Sequence, residues 1–370
     1  MSIIEKEFLD LTKTLDVESF WYENDRCQGF STQKPRCAVS FSPDDHWIFE
    51  FMQVPSTLRY YQDKTYRDEL HCQVNQVTQE YIGLSFFDED TWEYSPKRIE
   101  NLFGCEFEYH EGSTPWLVPV TADPEAFSRV LARAENTDLQ TWAFSEDFLA
   151  EWEARRAAGD ELPLLGNGSR GPATIMTSVL DVKTLFFWFY DHPALMRRFR
   201  DILAVKMVEL NTILREISGN SQPGWWTTDD NSALFNRKLY AEYCMPVLEM
   251  VLDELAPDDA SRYQHSDSAM GHLLDFQYDL GIRDVNYGPE VDAALIREKM
   301  PEAIINGHLP PFLLRNGTPE DIEARILDDF RKAGQTGGLI VTTAGSLAAG
   351  TGVGRMRLMM QVVQKHCRYD

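Results

Sequence analysis

The 370-residue sequence predicts an α/β protein, a (β/α)8 TIM barrel with an elaborated N-terminal region. Three observations predict it. From Asp123 onward, short apolar runs alternate with charged, amphipathic ones, the rhythm of strands separated by helices, which implies parallel pairing and right-handed crossovers. Strand candidates near residues 37, 84, 163, 224, 262, 283, 304 and 340 number eight, which favours a closed barrel over an open doubly wound sheet. Runs such as Gly338-Leu-Ile-Val341 are apolar throughout, as strands covered on both faces are.

The elements follow in order. Residues 1–31 have helical composition, and Arg36-Cys-Ala-Val-Ser-Phe41 reads as a strand ending at the turn signal Ser-Pro-Asp-Asp. Thr57 to Ile82 carries apolar residues at helical spacing, and Gly83-Leu-Ser-Phe-Phe87 is the second strand candidate. The run from Phe103 to Thr121 alternates and breaks at Gly112 and Pro115, as a hairpin does. Asp123-Pro124-Glu125 caps a helix and places a carboxylate at its positive end. Leu162 to Gly168 supplies a short apolar strand and leads into a glycine-rich loop. After it, helices end near Ile217, and strands at 223–228, 261–265, 282–287, 303–307 and 338–343 are each followed by a helix. Thr318-Pro319-Glu320-Asp321 is the cleanest helix start, combining a cap, a first-turn proline and two acids. We therefore expect one domain over 1–370, divergent over 1–122 and barrel-like over 123–370.

Composition narrows the function classes. A formal charge of -24 argues against nucleic acid, because phosphate binding needs a basic surface, and against anionic membranes for the same reason. Six cysteines without CxxC spacing and no signal-like leader lead us to expect reduced thiols in a cytoplasmic protein. The densest apolar run, Thr184 to Tyr190, is too short to span a bilayer. The glycine-rich stretch Ala344 to Gly354 has neither GxGxxG nor GxxxxGK[ST] order. The glycine-rich stretch after the last strand, with Gly345 and Ser346, is either a cofactor-contacting loop, as barrels often place there, or a plain turn.

Chemistry concentrates between Pro223 and Leu273. Asp229, Cys244 and His265 fall where elements begin or end, and they offer the oxygen, thiolate and imidazole that a catalytic zinc accepts beside an open position. The alternative is an acidic turn, a buried thiol and a capping histidine. His308 follows the seventh strand, where barrels place functional groups, with a surface or structural histidine as the alternative. Tyr287 is either core or the wall of an aromatic pocket. His272 reads as structural. The apolar run Met356 to Val363 either closes the barrel or forms a homodimer contact.

From Gly171-Pro-Ala-Thr174 to the C-terminus the chain resembles the uroporphyrinogen decarboxylase superfamily, which includes zinc-dependent, corrinoid-linked methyltransferases. The matching landmarks are Asp229-Asp230, Leu239-Tyr-Ala-Glu-Tyr-Cys-Met-Pro246, His265 after a strand, Leu280-Gly281, Asn316-Gly-Thr-Pro-Glu-Asp321, Gly337-Gly338-Leu-Ile-Val and Arg368-Tyr369. The resemblance implies a TIM barrel and one of two activities. The decarboxylase's N-terminal Met-Arg-Gln-Ala-Gly-Arg motif is missing, which leaves tetrapyrrole decarboxylation as the second reading. The corrinoid:coenzyme M methyltransferases carry His-x-Cys, whereas this chain has His265-Ser-Asp267, and their later cysteine corresponds to a position near Gly345. The anaerobic O-demethylase methyltransferases are closer, and by that resemblance Asp229, Cys244 and His265 become the zinc ligands.

The resemblance then implies a methyltransferase acting on a small methylated substrate. Its carrier is a corrinoid on a partner protein, or a tetrahydrofolate. Asp230 serves either as a general acid/base or as the cap of the helix at 232. Asp267 either orients substrate beside His265 or caps the helix near Ala269. A non-catalytic binding barrel is the third reading.

Overall fold

The computed structural model describes residues 4–27, 29–257 and 261–369. Seven parallel strands form its main sheet: β1 (Ala38–Val39), β4 (Gly168–Arg170), β5 (Trp225–Thr228), β6 (Arg262–Ser266), β7 (Asp284–Tyr287), β8 (Ile304–Leu309) and β9 (Leu339–Thr343). Between them in sequence, β2 (Phe107–Glu108) and β3 (Trp116–Leu117) make the expected antiparallel hairpin. The sheet runs β1-β9-β8-β7-β6-β5-β4, with helices covering its outer face. This is the TIM-barrel arrangement, with a seam between β1 and β4 that strand pairing does not close.

The seam lies where one expected strand, near Gly83, did not form and the next, expected from Leu162, forms only as β4. Gly83 adopts φ 71° and ends the helix Lys64–Ile82. Beyond it, the amides of Phe86 and Phe87 donate to the Asn75 side chain at 2.9 and 3.2 Å instead of joining a ladder. The apolar run at Leu162 joins no strand: Pro163 has no N–H to give, and the side chains of Ser218 and Asn220 take the Leu165 amide and carbonyl at 3.0 and 2.8 Å. Pairing starts only at Gly168, where the indole of Trp226 on β5 packs so close that a Cβ would collide with it. Aromatic composition attracted a strand assignment at Phe86-Phe87, and tertiary packing overrode it.

Helix starts follow the sequence signals. The carboxylates of Asp123 and the hydroxyls of Ser145 and Thr318 accept amides three residues on, and Thr318 and Asp321 close a capping box. Two helices, Lys6–Leu11 and Val17–Asn24, occupy the N-terminal segment, and residues 1–3 and 28 of that expectation lie outside the described residues. The terminal helix Val353–His366 packs against Lys6–Leu11, Lys64–Ile82 and Pro319–Asp329. Met356, Met359, Met360 and Val363 are fully buried there, so that apolar run closes the barrel and leaves no free face for a second copy. Among the described residues, no helix is long and apolar enough to cross a membrane.

β1 is anchored from inside. Arg36, fully buried, stacks over the Phe20 ring at 4.0 Å and donates to Glu23, Asn24 and the carbonyls of Phe20 and Cys37. These bonds satisfy a buried guanidinium and fix the first barrel strand to the N-terminal helices.

Candidate functional site

Side chains on a strand alternate between the two faces of the sheet, and that alternation sorts the polar residues at the C-terminal ends of β5, β6 and β7. Thr228 and Asp230, then Tyr263, His265 and Asp267, then Asp284 and Asn286 line one cavity of about 530 Å³ at the barrel mouth. The intervening residues Asp229, Gln264, Ser266 and Tyr287 are buried on the opposite side. β8 and β9 add Asn306 and Thr342, and the loop after β9 adds Gly345 and Ser346.

Asp230, His265 and Asp267 come together in this cavity. One ligand atom from each lies within 4.8 Å of the others, the one such group of three or more among the described residues. His265 Nε2 is 3.5 Å from Asp230 Oδ1 and 3.3 Å from Asp267 Oδ1. Asp230 Oδ1 also accepts the Asp267 amide at 2.9 Å, which fixes the two acids relative to each other. Two oxygens and one nitrogen form a donor set suited to a divalent cation such as zinc, manganese or iron, with open positions left over.

Asn286 determines which imidazole nitrogen faces the acids. Its amide NH2 donates to the carbonyls of Asn306 (2.7 Å) and Thr343 (3.1 Å), and its oxygen accepts the Gly345 amide at 2.8 Å. Since that oxygen can only accept, His265 Nδ1, 3.0 Å away, is the donor. Nε2 is thereby left facing the carboxylates, as a metal-ligating imidazole requires. Burial opposes charge on His265, but Asp267, Asp230 and Asn286 outweigh it and raise the pKa.

Gly345 is the close approach that permits this. Its φ is +89°, and an added Cβ would run into Asp267 Oδ1. We expect Gly345→Ala to displace Asp267, weaken cation binding at least about tenfold and destabilise the protein by roughly 1–3 kcal/mol through backbone strain. Calorimetric titration with zinc and urea unfolding measure the two effects.

The other sequence candidates lie elsewhere. The expected convergence of Asp229 and Cys244 with His265 does not occur. Asp229 points outward to the N-terminus of the helix Pro172–Val179, where its Oδ1 accepts the Thr174 amide at 2.8 Å. Burial raises its carboxyl to about 7. Cys244 is fully buried in the turn Tyr240–Cys244. Burial first, and then the Asp229 charge, push its thiol well above the usual range, so no thiolate is offered. Tyr287 is core, its hydroxyl donating to Gln264 at 3.0 Å. His308 is fully buried outside the cavity wall, with burial and then the Arg325 charge lowering its pKa to about 4. His272, as expected, is structural and bonds the Phe235 carbonyl at 2.9 Å.

Sequence reasoning missed Asn286, Tyr263, Asp284, Asn306 and Thr342. A signal existed: counting in steps of two from His265 and Asp267 reaches Tyr263, and the same step joins Asp284 to Asn286. Asp284 deserves a separate test. Burial raises its carboxyl from 3.8 to about 6 against the lowering effect of the Asn306 amide, which donates to it. Between about pH 4 and 6 the folded state therefore holds a proton that the unfolded chain has released, and above that range Asp284 is ionised in both. Stability from this group is fully present below about 4 and is lost as pH rises through about 6, to roughly 3 kcal/mol at most. We expect Asp284→Asn to remove that pH dependence and to be more stable than the parent at pH 8, as read from urea midpoints at both pH values.

The sequence pattern of the uroporphyrinogen decarboxylase (URO-D) family matches residues 99–366. The chain belongs to the URO-D family. The match begins well upstream of Gly171, where the recognisable motifs start, so it takes in the β2–β3 hairpin as well as most of the barrel. Among solved structures, this URO-D family member resembles a methyltransferase from Methanosarcina mazei, with a TM-score of 0.59 and 14% identity over 90% of this chain and 94% of the other. A likeness to a B12-independent methionine synthase from Shewanella sp. W3-18-1 in complex with selenomethionine has a TM-score of 0.36 and 12% identity over 71% and 73% of the two chains, too loose to carry an argument. No curated protein matches in sequence. The family match and the Methanosarcina mazei likeness bear on the fold, and the barrel expected from strand counting agrees with them.

Proposed function

We propose that this URO-D family protein is a metal-dependent methyltransferase, moving a methyl group between a small methylated substrate and a corrinoid or folate carrier. The Asp230–His265–Asp267 cluster carries the reading, because its imidazole is held in the ligating tautomer and it opens into a cavity large enough for a small molecule. The printed name of the Methanosarcina mazei relative supports methyl transfer as the reaction class. A cation bound there would supply Lewis acidity to polarise the heteroatom carrying the methyl group. Zinc fits the nitrogen and oxygen donors without the thiolate that spacing suggested.

The chain's own residues then divide the work. His265, Asp230 and Asp267 hold the cation, and Asn286 orients the imidazole from behind. Gly345 lets Asp267 sit close, with Ser346 beside it at the rim of the cavity. A corrinoid protein partner belongs to this reading, as does a soluble cytoplasmic setting. Tetrapyrrole decarboxylation is disfavoured by the cavity wall, which has three carboxylates and no lysine or arginine among its lining residues. A multiply acidic substrate would meet like charge throughout.

The test is direct. Purified protein is assayed for metal, reconstituted with zinc, and supplied with methylated donors and a cobalt(I) corrinoid whose methylation changes its visible spectrum. Stoichiometric metal with donor-dependent methylation supports the proposal. Turnover of uroporphyrinogen without metal, or no metal and no turnover at all, sinks it in favour of the decarboxylase or the binding barrel respectively.

A further inference from the structure

The cavity has a second acidic point below the cluster. His265 stands opposite Asn286 in the β6–β7 register, and Asp284 lies two residues earlier on β7, about 7 Å deeper at roughly 3.3 Å per residue. Asp284 forms no ion pair with any Lys, Arg or His among the described residues, and its one hydrogen-bond donor is the Asn306 amide. The Tyr263 hydroxyl is close by: burial first, then the charges of Asp284 and Asp267, push its pKa up, so it stays protonated and able to donate.

A separate observation points into the same space. Thr342 lines the cavity, is 4% exposed, and its hydroxyl has no partner. A buried hydroxyl without a partner, in the same cavity as a carboxylate without a counter-charge, marks a space where a ligand completes the bonding. The wall is built of hydroxyls and amides, with Ser40, Ser42 and Asn306 among them and no aliphatic side chain. That composition suits a short hydrophilic molecule better than a hydrocarbon, for which the wall offers little beyond the Tyr263 ring.

We propose that the cavity takes a short alkyl-ammonium substrate, its positive end at Asp284 and its methyl-bearing heteroatom at the Asp230–His265–Asp267 cluster. This rests on the methyltransferase reading for the upper end alone. Once a cation is balanced by Asp230 and Asp267, Asp284 is the remaining negative charge, and the ammonium neutralises it. Tyr263 provides a hydrogen-bonding oxygen near that end and Thr342 another further along the cavity wall, and chain length is set by the two-residue separation along β7.

Two probes of equal length separate charge from shape: 4-methoxybutylamine and 4-methoxybutan-1-ol. Each is titrated calorimetrically into zinc-treated protein at pH 7.5, after zinc binding has itself been measured. We expect the amine to bind at least about tenfold more tightly, a difference of about 1.4 kcal/mol, and Asp284→Asn to erase that preference. Equal affinities in the parent protein, or no affinity for either probe, overturn the proposal even if the variant does not fold. A preference that survives in Asp284→Asn overturns the assignment to this carboxylate. The two ideas fail separately. Zinc bound without amine preference sinks this inference and leaves the transferase standing, whereas amine preference in a protein that binds no metal does the reverse.

Discussion

On the proposed reading, His265→Ala is expected to weaken divalent-cation binding by at least about a hundredfold and to abolish methyl transfer, and Cys244→Ala to retain both. The contrast is set by geometry. His265 supplies the one nitrogen in the cluster and stands within 3.5 Å of both acids, so its removal leaves two carboxylates facing each other without a ligand between them. Cys244 is buried on the far side of the sheet with its thiol held protonated. Asn286→Ala is intermediate, about 10–100-fold, the usual cost of losing the group that orients a ligand. Zinc titration against a competing chelator reads all three. Metal lost in Cys244→Ala as well as in His265→Ala would restore the Asp229, Cys244 and His265 set suggested by spacing.

The largest effect on stability is expected at Arg36. Arg36→Met keeps much of the stem but removes four hydrogen bonds to Glu23, Asn24, Phe20 and Cys37. It leaves the Asn24 oxygen and two carbonyls short of a donor where no water reaches. Breaking one side of a buried charged network typically costs about 3–5 kcal/mol. Arg368→Ala, which removes an exposed partner of the same Glu23, should cost less than about 1 kcal/mol. Urea unfolding compares the two, and a lower midpoint at unchanged slope identifies a loss of stability without a change in the unfolded chain. A loss below 1 kcal/mol at Arg36 would mean that β1 is held by its pairing to β9 and by the Asn24 side chain, which bonds the amide and the carbonyl of Val39.

Much of the barrel was legible because its signals are local. Alternating strand and helix composition located β5 to β9, and caps such as Thr318 placed helix starts to the residue. The second and third strand positions were not legible. Phe86 and Phe87 have strand composition, yet the Asn75 side chain claims their amides across a helix, a contact that composition does not encode. In the site, His265, Asp267, Asp230, Gly345 and Ser346 were identified, and all line the cavity. Asp229, Cys244 and Tyr287 were grouped with them because element ends were matched without regard to phase. A one-residue step along a strand moves a side chain to the other face, and this separates Asp229 from Asp230 and Tyr287 from Asn286. Ser40 and Ser42 required the closed geometry, since no local pattern links them to a histidine more than two hundred positions later.

The Asn286 amide has a consequence beyond orienting one ring. With a single planar group it joins His265 on β6 to the backbone of β8 and to both sides of the turn leaving β9. Any occupant that tightens its hold on the imidazole must therefore also draw on four neighbouring staves of the cask. Loading the mouth should then slow amide exchange at Asn306, Thr343 and Gly345, deep in the polypeptide, and raise the melting temperature in proportion to the logarithm of occupant concentration.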